Sequence, residues 1–144
     1  MATQDSIYLL RECDAGAKMA MASLDDVKDR TRNTEMQKIL LESRQQHELI
    51  AEQIHKLLDS IGTGEKDPSP MARGMSAVKT GVKMGLDDSD QTVADLITDG
   101  CGMGIKSLHR YLNQYAAADT IARAVCRMLI AVEEQLVCDI KHFL

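Results

Sequence analysis

Apolar side chains recur at intervals of three and four along almost the whole chain, and its two prolines, Pro68 and Pro70, fall together near the middle. That period belongs to helices that bury one face, not to strands, whose side chains alternate every two residues. Leu10, Cys13, Ala17, Ala20, Leu24, Val27 and Thr31 make one stripe, and Met36, Leu40, Ser43, His47, Ile50, Ile54, Leu57 and Ile61 make a second. Val93, Ile97, Cys101, Gly104, Leu108, Tyr111 and Tyr115 make a third; Ile121, Val125, Met128, Leu129, Val132, Leu136 and Phe143 make the fourth. Aromatics at 3%, with no Trp and nine Met, suit an aliphatic core between helices rather than a β-sandwich.

The stripes predict helices over about 4–31, 34–61, 89–116 and 119–143. Thr34-Glu35-Met36-Gln37 fits a capping box, and a turn this short makes the first two helices an antiparallel hairpin. Asp87-Asp88-Ser89-Asp90 caps the third helix and Asp119 the fourth. Between the hairpins lies a connection of about 26 residues, in which Pro70 starts a shorter helix to Met84. A connection of that length can cross the height of a bundle, which sets the third helix parallel to the second. The expectation is a single all-α domain over 1–144, an antiparallel four-helix bundle of two hairpins with a short crossover helix.

The formal net charge is −5, with 17 basic residues scattered among 22 acidic ones, so the basic footprint that a nucleic acid needs is missing. No apolar run approaches a membrane span, and Met1 to Ser6 hold neither a basic nor an apolar leader region. The expectation is a cytoplasmic chain whose four cysteines, Cys13, Cys101, Cys126 and Cys138, are reduced.

Cys13-Asp-Ala-Gly16-Ala-Lys18 and Cys101-Gly-Met-Gly104-Ile-Lys106 share the pattern C-x-x-G-x-K, an internal echo of one hairpin in the other. Continued without gaps, the echo places Gln135 where the first hairpin has His47. With the run from Glu12 to Ala20, the His47 helix and the run from Asp99 to Ser107, the chain resembles an uncharacterised group of small bacterial ferritin-like proteins. That resemblance implies a ferritin-like bundle. The superfamily would bring a di-iron site built from one Glu on each of two helices and a Glu-x-x-His on each of the other two.

The residues depart from that pattern. Glu52-Gln-Ile-His55 is a literal E-x-x-H, but at about 100° per residue Glu52 lies about 160° from the centre of its apolar stripe. Glu12 and Asp99 fall about 120° and 140° from theirs, facing water rather than a cage. Asp139-Ile-Lys-His142 stands close to the chain end, and Arg44 occupies the position three before His47.

Polar residues that do face inward define a candidate pocket of Ser43, His47, Cys13, Cys101 and Tyr111, floored by Gly100, Gly104, Ala17 and Ala20. His47 is read as a hydrogen-bonded core histidine, with a small-ligand or metal contact as the alternative. Cys13 and Cys101 are read as small hydrophobes, with a redox-responsive pair as the alternative. Cys126, Ile130 and Val137 form a stripe away from the core, and Met19, Leu41 and Leu49 also face out, which suggests a partner surface or the resting place of the crossover helix; that helix can cover only some of them, which favours a homodimer. No catalytic grouping, phosphate loop or dinucleotide fingerprint is readable. The expected function is a non-catalytic binding or interaction module for a protein partner or small ligand, needing no cofactor. The alternatives are an iron- or manganese-binding protein using His47, Glu52 or His55, and a thiol-based redox sensor.

Overall fold

The computed structural model describes residues 3–62 and 89–144, so the crossover helix expected over Pro70–Met84 lies outside the described residues. Four helices pack as a bundle: α1 Gln4–Val27, α2 Thr34–Ile61, α3 Asp90–Gln114 and α4 Thr120–Ile140, with a 3₁₀ turn over Lys141–Phe143. Each begins on a polar residue whose side chain accepts a backbone N–H from the first turn. Thr3 accepts from Ser6, Asn33 from Met36, Ser89 from Thr92 and Asp119 from Ala122. At α2 the cap is therefore Asn33, one residue before the expected capping box. Gly62 ends α2 at φ 82°, the left-handed conformation that glycine reaches without strain.

The polar groups at the two ends fix the topology. At one end Thr3 donates to Ala117 O at 2.9 Å, Asp5 accepts from Ala117 N at 3.0 Å, and Ser6 accepts from Asp119 N at 2.7 Å. At the other, Asp90 accepts from Arg32 N at 2.9 Å and from the Thr31 hydroxyl. The start of α1 thus meets the α3–α4 turn, and the α1–α2 turn meets the start of α3. It follows that α3 runs parallel to α2, as the connection length predicted, and α1 runs parallel to α4. The two parallel helices α1 and α4 pack directly against each other, while each also packs against both α2 and α3.

The core divides in two. One half gathers Leu9, Leu10, Cys13, Ala17, Ile50, Ile54, Leu58, Leu108, Leu112, Val125, Cys126, Leu129 and Ile130. The other gathers Leu24, Val27, Met36, Leu40, Val93, Ile97, Cys101, Leu136 and Ile140. Each fully buried Leu or Ile contributes about 1.5–3 kcal/mol. Between the halves, α2 inserts Ser43 and His47 after Leu40, and α4 inserts Glu133 after Ile130.

The inward face of α4 is rotated from the expected one. Cys126 and Ile130, expected to face out, are buried, whereas Ile121 and Met128, expected inside, are exposed. Because α4 packs against three helices, more than one of its apolar stripes is covered.

Candidate functional site

The layer between the two core halves is a buried polar pair. His47 Nδ1 lies 2.8 Å from Ser43 O, one turn earlier on α2, and the Ser43 hydroxyl lies 3.5 Å from the same nitrogen. A carbonyl only accepts, so Nδ1 carries the hydrogen and donates. Nε2 faces Glu133 Oε1 across 3.6 Å, both side chains being buried. At that separation each buried group is the other's polar neighbour, which a low-dielectric interior favours over either group alone. Among the described residues neither His47 Nε2 nor Glu133 Oε2 has a hydrogen-bond partner.

Gly104 on α3 makes room for the carboxylate. A Cβ added there would lie 2.3 Å from Glu133 Oε2 and 3.1 Å from its Cδ. The glycine therefore admits a side chain rather than a closer helix crossing. Its counterpart in the internal echo, Gly16, also faces α4, where a Cβ would stand 4.0 Å from Leu129 in ordinary contact. Among the described residues a Cβ at Gly100 or Gly102 would meet nothing within 4 Å, and both glycines are exposed.

A second acid–imidazole contact bridges α1 and α2. Asp14, fully buried, lies 2.8 Å from His55 Nε2 through one oxygen and 3.0 Å from Lys18 Nζ through the other. The lysine contact is an ion pair without aligned hydrogen-bond geometry. Asp14 thus has positive charge or a ring N–H on both sides, the condition for burying a carboxylate.

The cysteines sort differently. Cys13 on α1 and Cys126 on α4 are both buried in the core half away from Cys101. Cys101 stands beside Glu133, and burial, then the charge of Glu133, push its thiol up to about 12. Cys138 is exposed. Tyr111 is half-buried and stacks on Tyr115, with ring centres 6.2 Å apart.

Of the candidate pocket, then, Ser43 and His47 adjoin one another, Cys101 joins their layer through Glu133, and Cys13 and Tyr111 belong to the other half of the core. Glu52 is exposed while the His55 ring is engaged by Asp14, so the E-x-x-H spacing does not converge. Among the described residues no group of three or more His, Cys, Asp or Glu side chains is placed to hold a metal ion, which does not fit a dinuclear carboxylate cage. Sequence reasoning missed Glu133 and Asp14. The signal for Asp14 was its place beside Cys13 on the inner face of α1, with Lys18 one turn on. Among the described residues no helix is long and apolar enough to cross a membrane.

No protein-family model matches the chain, and no curated protein is significantly similar to it. Among solved structures, the chain is similar to a DUF305 fragment from Deinococcus radiodurans. The TM-score is 0.75 at 11% identity, over 98% of this chain and 95% of that one. What this likeness carries over is the fold, an all-helical four-helix architecture. That is the coarser part of the resemblance drawn from the sequence.

Proposed function

We propose that the chain is a non-catalytic interaction module of ferritin-like architecture that works through its outer helix faces, first of all as a homodimer. The supporting observation is four large apolar side chains standing out of two neighbouring helices. Leu41 and Leu49 on α2 are 55% and 62% exposed, and Ile121 and Met128 on α4 are 59% and 45% exposed. Each pair is spaced by about two helical turns, the separation at which two helices interlock. The outer surface of α2 carries both signs: Glu42 lies 4.0 Å from Lys38, Glu52 and Lys56 are exposed, and Arg44 is engaged by Asp25 at 2.7 Å. The first three turns of α4 carry Arg123 and Arg127 and no acidic residue. A twofold arrangement sets α2 of one copy against α4 of the other and satisfies both contacts at once.

Leu49→Glu and Met128→Glu test this, because neither side chain belongs to the core. Each is expected to leave helical content unchanged and to return the protein to monomer in sedimentation velocity. A dimer that survives both substitutions contradicts the reading.

A second reading draws on the unpartnered atoms of the His47–Glu133 pair, where a single cation held between them would give metal binding. Elemental analysis of protein purified without chelators tests it: iron or manganese near one per chain, lost in Glu133→Gln, would establish that reading.

A further inference from the structure

We infer that the outer face of α3 is a further self-association surface, on which a second copy of the chain lies antiparallel about a twofold axis beside Met103. At about 100° per residue, Asp95, Asp99, Met103, Lys106 and Arg110 fall within about 40° of one line along α3, opposite its buried stripe of Ile97, Cys101, Leu108 and Leu112. Met103 stands 67% exposed at the centre of that line. Asp99, Lys106 and Arg110 are exposed beside it, and Asp95 is half-buried.

Charge divides the line in two. The acids lie on the N-terminal side of Met103 and the bases on the C-terminal side, each pair one turn apart. The helix macrodipole does not account for this order, because its effect is confined to the first and last turns and all four charges lie between them. Lys106 and Arg110 do not serve their own copy either: among the described residues neither has an ion pair or a hydrogen bond. Asp95 and Asp99 are already engaged within the copy, but a carboxylate accepts from several donors.

Two antiparallel copies satisfy the two halves reciprocally. With the axis between Gly102 and Met103, Asp99 of each copy faces Lys106 of the other, and Asp95 faces Arg110. Met103 of each then falls against Gly102 of the other, where a Cβ would meet nothing within 4 Å, so a long side chain meets a position that lacks one. A parallel setting would place acid on acid and base on base. The surface shares no residue with the α2–α4 pairing proposed above and stands independently of it. Exposed ion pairs are worth little singly, so this contact gathers copies in concentrated solution and leaves the dimer the main species in dilute solution.

The full chain carrying Cys138→Ser and Met103→Cys tests the inference, since the remaining native cysteines are buried. Under mild copper–phenanthroline oxidation at low salt, the two introduced thiols beside the axis should join and give a covalent dimer on a non-reducing gel. Gln91→Cys in place of Met103→Cys should not join, because antiparallel copies hold this exposed position at opposite ends of the contact. Lys106→Glu added to Met103→Cys sets a glutamate against Asp99 and should lower the yield about tenfold. Asp99→Lys added to that chain reverses both charges and should restore the yield. Met128→Glu, which breaks the α2–α4 pairing, should leave the yield unchanged, so a failure of that reading shows separately. No joining with Met103→Cys, equal joining with Gln91→Cys, or a yield indifferent to Lys106→Glu overturns the proposal.

Discussion

His47 and Glu133 occupy the place in the core where a wrong side chain does most harm. In His47→Leu, Glu133 keeps a buried carboxyl facing hydrocarbon and Ser43 O loses its donor, at a cost of about 3–5 kcal/mol. His47→Leu combined with Glu133→Met removes both polar partners and should recover most of that loss in urea denaturation. Equal instability of the single and double variants would show that the two residues are not coupled. Gly104→Ala, which sets a methyl group against Glu133 Oε2, should cost about 1–3 kcal/mol by the same measurement. Only half of this site was legible. Ser43 and His47 lie on the stripe that runs from Met36 to Ile61, so periodicity turned them inward. Glu133 was hidden because a charged residue is assigned to water unless its partner is known, and that partner is on another helix, far away in sequence.

The helices themselves were legible where caps and stripes agreed. α2 ends at Ile61 as expected, the α3 cap is Ser89 within the expected run Asp87-Asp88-Ser89-Asp90, and Asp119 caps α4. The Asp119 side chain accepts from Ala122 N at 2.8 Å, and its own N–H is held by Ser6, so this cap also joins α4 to α1. Asp119→Ala should cost about 1 kcal/mol in thermal or chemical denaturation. Asp119→Asn, which keeps the acceptor, should cost much less. The inner face of α4 was not legible, for a physical reason. Ala122, Val125, Cys126, Met128, Leu129, Ile130, Leu136 and Val137 cover most of its circumference, so no single stripe stands out. Position across the short diagonal decides which residues are buried, and that is a property of the assembled bundle.

At the scale of the whole molecule, the parallel setting of α2 and α3 followed from the length of the connection, and the end contacts secure it. Asp90 joins the start of α3 to the α1–α2 turn: the Thr31 hydroxyl first, then Arg32 N–H, hold its carboxyl below the usual range. Asp25 is held down by its hydrogen bond to Arg44. Depressed acid values stabilise the fold above the unfolded carboxylate range, about pH 4, and that stabilisation fades as pH falls below it. Both groups meet solvent, so each is worth under about 1 kcal/mol. Denaturation midpoints measured from pH 6 to 3 should fall less steeply in Asp90→Asn, and an unchanged slope would remove Asp90 from the account. The exposed apolar side chains of α2 and α4 carry the proposed homodimer at this scale. The most direct measurement is the mass of the untagged protein in solution by light scattering across a range of concentrations. Twice the 15.9 kDa chain mass is the expected result, and 15.9 kDa at every concentration would contradict the proposed homodimer.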